Sequence, residues 1–195
     1  MGEQTLFQPL TRGDRLSVII YRAGIAASTL AVVAAAYALF NSMHSAASVN
    51  TLLVALSISV GASVFSIHLY VGSFKKTLKR LYYFSTAAVL VLFVVGGGNA
   101  FEALTTKPQS FLLLIPLSGC LGFIAAKEAF CFKLLEGYIL ALFMPLYTIA
   151  LSTGAVPLKS ASYGLIAIAA LLVIFTLRKV SMPLHYDIGD KSAYR

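Results

Sequence analysis

The chain has 195 residues, of which 59% are hydrophobic and only 11% charged, with a mean hydropathy of +0.87. A typical soluble domain carries about 25% charged residues, so this composition excludes a disordered chain, a soluble enzyme domain and a nucleic-acid-binding domain. Six membrane-spanning helices of about 20 residues each would occupy most of the chain. We therefore predict an all-α polytopic membrane bundle in which residues 1–195 form a single transmembrane domain.

Six apolar segments of helical length follow one another along the chain. They cover residues 23–40, 49–71, 81–97, 111–130, 134–151 and 163–177. None of them alternates polar and apolar residues, so they predict α-helices rather than the strands of a membrane barrel. A short N-terminal tail (1–15) precedes the helical region (16–178), and a polar C-terminal tail (179–195) follows it. Gly96 to Gly98 are expected to end the third helix, and Pro116 and Pro145 to kink the fourth and fifth.

Lysine and arginine residues are distributed very unevenly between the two sides of the predicted bundle. Thirteen of the fifteen lie in the N-terminal tail, the second-to-third loop, the fourth-to-fifth turn or the C-terminal tail. These are Arg12, Arg15, Arg22, Lys75, Lys76, Lys79, Arg80, Lys127, Lys133, Arg178, Lys179, Lys191 and Arg195. The other side has Lys107 and Lys159. Because cytoplasmic loops carry the excess of Lys and Arg, this split predicts six spans with both termini on the cytoplasmic or stromal side.

Small residues in the first two segments predict a close helix contact. Close approach of two helices in lipid requires Gly, Ala or Ser, and the second segment has several of these four residues apart. We expect Gly61 and Ser63 to lie in the contact with the first helix. A substrate path along this small-residue helix is the alternative interpretation.

The connection between the fourth and fifth segments is rich in charge. Lys127, Glu128, Cys131, Lys133 and Glu136 lie within ten residues, with apolar runs on both sides. Charges at this depth are costly unless they are paired or hydrated. One interpretation is an ion-paired turn whose lysines reach water. The other is a polar site at which Glu128 or Glu136 holds a proton, an ion, a pigment or a partner.

His68 is the histidine best placed for a cofactor, near the basic end of the second segment. A neutral imidazole can ligate the metal of a tetrapyrrole, so His68 is a candidate chlorophyll ligand. Hydrogen bonding to a neighbouring helix or to a lipid headgroup is the alternative. The cofactor stays open, with chlorophyll and carotenoid as the candidates.

The C-terminal tail is denser in polar and turn-forming residues than a simple overhang requires. His185, Asp187 and Asp190 could coordinate a cation, although their spacing is too generic to predict a metal site. A folded tail that caps the basic side, or that docks on another protein, is the favoured interpretation. The chain has none of the common catalytic motifs, so no catalytic residues are assigned and an enzyme is not expected.

Three stretches resemble an integral-membrane family, domain of unknown function 2301, known from cyanobacteria and plastid-bearing eukaryotes. They are KEAFCF (127–132) followed by Glu136, IHLY (67–70), and the tail MPLHYDIGDKSAY (182–194). The resemblance covers most of the chain. It implies a multi-pass protein of the cyanobacterial thylakoid, or of the plasma membrane, in an oxygenic phototroph. It implies no enzyme activity.

The compact bundle without catalytic motifs, its basic side and its polar tail predict a non-enzymatic accessory or assembly factor, and the family resemblance implies that it binds a photosynthetic membrane complex. Its partners would be that complex and membrane lipids, and not nucleic acid. Docking is expected through the basic side, at Lys75, Lys76, Lys79, Arg80, Lys127, Glu128, Cys131, Glu136, His185, Asp187 and Asp190. The alternative function is a six-helix transporter or channel for small molecules or ions.

Overall fold

The computed structural model describes residues 11–43, 45–69 and 71–188. Its helices are α1 (Arg12–Phe40), α2 (Ala46–Ser66), α3 (Gly72–Val95), α4 (Ala100–Thr106), α5 (Ile115–Phe132), α6 (Leu135–Ser152) and α7 (Leu158–Val180). Two 3₁₀ segments, Pro108–Leu114 and Leu184–Asp187, accompany them. Within the described residues, six helices are long and apolar enough to cross a membrane, with Pro108–Phe132 as one span. The predicted all-α polytopic bundle of six spans is confirmed.

The first helix is longer than the sequence predicted. Thr11 and Asp14 form a capping box, in which each side chain accepts a hydrogen bond from the backbone N–H of the other residue. Helix α1 therefore begins at Arg12 instead of residue 23 and has 29 residues. Its length of about 43 Å, at ~1.5 Å per residue, exceeds a hydrocarbon core of about 30 Å. The predicted end at residue 40 is confirmed, whereas the predicted start was wrong because it was set where the apolar run begins.

The basic stretch 75–80 is helical and not a loop. Helix α2 ends at Ser66, five residues before the predicted end at residue 71, and α3 begins at Gly72. The connection is therefore residues 67–71, which include His68. Lys and Arg are good helix formers, and their long side chains can reach water from a helical backbone. The predicted loop is thus the first two turns of α3.

At the other end of the bundle, the structure confirms one prediction from the sequence, the glycine stop after α3, and differs from the predictions in two places, the short helix α4 and Pro116. Helix α3 ends at Val95, and Gly97 and Gly98 have φ values of +61° and +93°, so the predicted glycine stop is confirmed. The stretch that follows contains the short helix α4. Pro116 lies in the first turn of α5, where proline needs no hydrogen-bond partner, so it begins a helix and does not kink one. Pro145 lies inside α6.

Helices α1 and α2 pack through small residues. A Cβ atom added to Gly24 would lie 2.3 Å from Ser63 Oγ and 2.6 Å from the Ser59 carbonyl oxygen. The hydroxyls of Ser28 and Ser59 hydrogen-bond across the contact at 2.8 Å, and Ser63 donates to the carbonyl oxygen of Tyr21 at 3.1 Å. The predicted contact is confirmed for Ser63, and interhelical hydroxyl bonds reinforce it.

Gly61 belongs to another contact. A Cβ atom at Gly61 would lie 2.3 Å from the Tyr82 hydroxyl oxygen, so this glycine faces α3. The Tyr82 hydroxyl donates to the carbonyl oxygen of Ser57 at 3.1 Å. The prediction that placed Gly61 against α1 was wrong, because Ser59 and Ser63 share one face of α2 and Gly61, two residues from each, lies on the opposite face.

The six spans close into one bundle around α1, α5 and α7. Helix α1 contacts α2 and α7, whereas α5 contacts α3 and α6. Thr29 and Thr176 join α1 to α7 by a hydroxyl hydrogen bond of 2.7 Å. Many large apolar side chains point outward, among them Leu30 and Val94. This distribution suits a surface that faces lipid, in which exposed apolar side chains need no burial.

Candidate functional site

The two ends of the bundle differ in charge. We call one end the basic face, which carries the cations at positions 12–22, 75–80, 127–133 and 178–179. We call the other end the opposite face, whose formal charges among the described residues are Glu102, Lys107 and Lys159. The positive-inside rule predicts that the basic face is cytoplasmic.

A cluster of ionised side chains lies within the bundle at the basic face. Helices α1, α5 and α7 and the 3₁₀ segment Leu184–Asp187 contribute its members. We call the following five residues the buried charge cluster: Arg22, Lys127, Glu128, Lys179 and Asp187. Glu128 and Lys179 have no solvent-exposed surface, and only Lys127 is more than a tenth exposed at its side chain.

Glu128 joins three helices. Its Oε1 atom accepts a hydrogen bond from the Tyr21 hydroxyl at 2.6 Å and another from Lys127 Nζ at 2.7 Å. Its Oε2 atom lies 2.5 Å from Lys179 Nζ of α7. A carboxylate removed from water is stable only with such partners, so Glu128 fixes α1 and α7 against α5.

Asp187 anchors the C-terminal segment in the same cluster. Its Oδ2 atom accepts from the Arg22 guanidinium at 2.6 Å, and its Oδ1 atom contacts Lys179 Nζ. Arg22 also donates to the backbone carbonyl oxygens of Val180, Met182 and Pro183. Residues 181–188, the part of the tail that the structure describes, are therefore folded onto the bundle, as expected of a tail that caps the basic side.

The buried charge cluster contains one cation more than it has carboxylates. Three cations face two carboxylates, which gives a formal charge of +1. Lys179 Nζ also lies 4.1 Å from the centre of the Phe132 ring. A cation over an aromatic face is attracted by the ring quadrupole, which offsets part of the excess positive charge.

His68 lies in the 67–71 connection and contacts α1. Its Nε2 atom is 2.8 Å from Ser17 Oγ. Burial lowers the pKa of His68, and the charges of Lys75 and Lys127 lower it further, against the opposing effects of Asp14 and Asp187. A neutral ring is therefore favoured near pH 7. A pigment metal bound at Nε2 would have to displace the Ser17 hydroxyl, and the pigment role of His68 stays a prediction.

Glu136 is separate from the buried charge cluster. Its two carboxylate oxygens both accept from Arg178 Nη1, at 2.9 and 2.7 Å, which connects α6 to α7. The Arg178 side chain is 50% exposed. Cys131 is exposed at the end of α5, and Lys133 follows in the left-handed conformation. The charged connection of the sequence is thus divided. Lys127 and Glu128 belong to the buried charge cluster, Glu136 pairs with Arg178, and Cys131 and Lys133 face outward.

The residues expected to dock a partner differ in how accessible they are. Lys76 and Arg80 are exposed, while Lys75 and Lys79 are half-buried. His185 is half-buried and packs edge-on against Tyr186, with ring centres 4.6 Å apart. Asp190 lies outside the described residues. Asp187 was expected on the docking surface and instead faces inward, because both its oxygens are held by cations of α1 and α7.

Three members of this site were not singled out from the sequence. Tyr21 was not considered, and Arg22 and Lys179 were counted as topology signals. The available signal was the position of Arg22, which is followed directly by the apolar run of α1. A cation next to such a run requires a carboxylate, and sequence alone does not indicate which carboxylate reaches it.

The opposite half of the bundle contains an apolar cavity of about 560 Å³. Its walls come from α1, α2, α4, α5, α6, α7 and the 3₁₀ segment Pro108–Leu114, and none of the lining residues belongs to α3. No ionised side chain lines it. The volume lies within the range of about 300–1,000 Å³ that is typical of small-molecule sites.

The cavity is open along part of its boundary and is not a sealed void. Because its lining is almost entirely apolar, we expect an apolar group rather than water to fill it when the protein is in a membrane.

Comparisons with known proteins place the chain among uncharacterized membrane proteins. A family model described as "Uncharacterized integral membrane protein (DUF2301)" matches residues 62–195, from within α2 to the end of the sequence. The chain is 28% identical over 197 residues to an uncharacterized protein of Haemophilus influenzae, covering 100% of this chain and 99% of that protein. No solved structure matches the chain. These descriptions name no photosynthetic setting, so the thylakoid location stays a prediction.

Proposed function

The chain belongs to the DUF2301 family of uncharacterized integral membrane proteins, and we propose that within the membrane it acts as a non-enzymatic accessory or assembly factor. It docks on a membrane protein complex through the basic face. The observation that carries the proposal is the folded segment after α7, which the buried charge cluster holds in one conformation.

A fixed segment favours docking for a thermodynamic reason. A binding surface that is already ordered loses little conformational entropy when its partner arrives. Exposed cations lie on the same face and favour a partner with an acidic surface. They are Arg12, Arg15, Lys76, Arg80, Lys133 and Arg178.

A photosynthetic complex of the thylakoid is the specific partner that the family resemblance suggests. In that form of the proposal His68 binds chlorophyll, and the purified protein absorbs visible light. An absorption spectrum of the protein purified from its native membrane tests this directly. Chlorophyll bands that disappear in His68→Asn support it, and a colourless protein without chlorophyll-protein subunits removes the photosynthetic part.

Copurification from native membranes in a mild detergent tests docking itself. We expect the wild-type protein to retain a stoichiometric membrane complex and Lys76→Gln/Arg80→Gln to lose it. Glu102→Gln, on the opposite face, is the control and should retain it. Absence of any stoichiometric partner from the wild-type preparation contradicts the proposal.

A transporter is the second candidate, and the cavity favours it. The cavity occupies the opposite half of the bundle while ion pairs close the basic half, as in a carrier that is open to one side. Flux into proteoliposomes tests this with Glu128→Gln and Glu136→Gln. A carrier should lose transport in at least one variant, and absence of flux in the wild type for every solute tried leaves only docking.

A further inference from the structure

The cavity wall offers a ligand no free hydrogen-bond donor from its side-chain hydroxyls. Tyr147 donates to the carbonyl oxygen of Ala161 at 2.6 Å, and Thr148 donates to that of Pro145 at 2.7 Å. The hydroxyls of Thr105 and Ser118 likewise donate to carbonyl oxygens of their own elements. The remaining side chains of the wall are apolar, so the cavity favours a group that is apolar along most of its buried length.

The depth of the cavity matches one leaflet of a bilayer. Its lining on α2 extends from Val49 to Val60, which is about 16 Å at ~1.5 Å per residue. Half of a hydrocarbon core of about 30 Å is about 15 Å. The cavity also lies in the half of the bundle nearest the opposite face, so its lining on α2 covers the depth of that leaflet.

Two lysines stand at the end of the cavity on the opposite face. Lys107 directly precedes Pro108, and Lys159 directly follows Leu158, and both Pro108 and Leu158 line the cavity. Both lysines are exposed, and they are the cations of the opposite face among the described residues. Lys107 Nζ donates to the carbonyl oxygen of Val95 at 3.5 Å, and the exposed Glu102 directly follows the lining residue Phe101. The rim therefore has two cations and one carboxylate, and its net positive charge complements an anionic head attached to an apolar chain.

We propose that the cavity binds one acyl chain of an anionic membrane phospholipid, whose phosphate contacts Lys107 and Lys159. The apolar wall binds the acyl chain, and the lysines bind the charged headgroup and fix its depth at the membrane interface. The site is independent of docking at the basic face, because no member of the buried charge cluster lines the cavity.

Native mass spectrometry of the purified protein with phosphatidylglycerol tests the site. We expect one phosphatidylglycerol per chain, and at least about a tenfold loss of retention in Ala35→Trp, because Ala35 lies in the cavity wall and the indole would occupy part of the space for the acyl chain. Ala34→Trp is the matched control, since Ala34 is exposed on the same helix and does not line the cavity. The control should retain the lipid as the wild type does.

Headgroup selection is tested with the double variant Lys107→Gln/Lys159→Gln and with dioleoylglycerol, which has the chains without the phosphate. We expect the double variant to bind the two lipids equally, whereas the wild type prefers phosphatidylglycerol. Wild-type protein that binds dioleoylglycerol equally well, or that prefers a polyprenyl quinone, overturns the proposal.

A photoactivatable acyl chain on phosphatidylglycerol gives a readout that does not depend on how variants fold. At one lipid per protein, label should concentrate on α1, α2, α5, α6 and α7, at positions such as Leu117 and Leu121. Label that falls instead on the outward side of α3 shows binding to the general lipid-facing surface, and this result also overturns the proposal.

Discussion

Replacing Glu128 with leucine should destabilise the protein strongly. The substitution removes the carboxylate that accepts from Tyr21 and pairs with both Lys127 and Lys179. It raises the formal charge of the buried charge cluster from +1 to +2, with Asp187 as the remaining carboxylate. Removing one partner of a buried ion pair costs about 3–5 kcal/mol, and we expect a loss of stability in this range.

Replacing Lys179 with methionine should cost much less, although Lys179 is as deeply buried. The remaining charges form two matched pairs, Arg22 with Asp187 and Lys127 with Glu128. We expect a loss of at most about 1.5 kcal/mol, comparable to one hydrogen bond to a charged group. The double variant Glu128→Leu/Lys179→Met should then be about 2 kcal/mol more stable than Glu128→Leu alone, because it removes the cation that the first change left in excess.

Equilibrium unfolding in mixed detergent micelles measures these free energies. The control is Glu136→Leu, which should cost at most about 1 kcal/mol because its partner Arg178 is half exposed and can reach water. The reasoning is refuted if Lys179→Met is as destabilising as Glu128→Leu, or if the double variant shows the sum of the two single losses.

Three further changes test other parts of the structure by thermal unfolding in detergent. Gly24→Leu should destabilise by about 1–3 kcal/mol through overpacking against α2, whereas the exposed Ala23→Leu should be tolerated. Because the pKa of His68 is lowered in the folded protein, the unfolded chain binds this proton more readily, and stability falls as the pH drops below about 6.5. The variant His68→Asn should reduce this loss of stability at low pH, and an unchanged dependence of stability on pH contradicts the prediction. Lys133→Gly should raise stability by about 0.5–1 kcal/mol because Lys133 has φ +56°, and a lower melting temperature argues otherwise.

The number and order of the spans could be predicted because lipid imposes them on composition. A helix such as α6 must be apolar around most of its circumference, and that property is visible without any knowledge of its neighbours. Helix ends are less predictable, since they depend on local chemistry. The capping residues Thr11 and Asp14 begin α1 well before its apolar run, and the charged run Lys75 to Arg80 is part of helix α3.

The candidate site could be predicted only in part. The stretch from Lys127 to Glu136 was singled out because a charge next to an apolar run is costly unless it is paired or hydrated, and this holds whichever residue becomes its partner. Which cation meets which carboxylate depends on the arrangement of α1, α5 and α7, and nothing in the local sequence of Arg22 or Asp187 indicates their contact. The apolar cavity was not predictable either, because it is a property of the space between seven elements and not of any one of them.

The contact between Arg22 and Asp187 also constrains how the protein is made. These residues are 165 positions apart in the chain, so the ribosome completes α1 through α7 before the aspartate that pairs with Arg22 exists. Contacts between distant positions form late, and domains that depend on them expose unpaired groups in the meantime. A nascent chain that stops before Asp187 therefore holds an uncompensated guanidinium at the membrane boundary, a feature by which a protease or chaperone can distinguish an unfinished protein from a finished one.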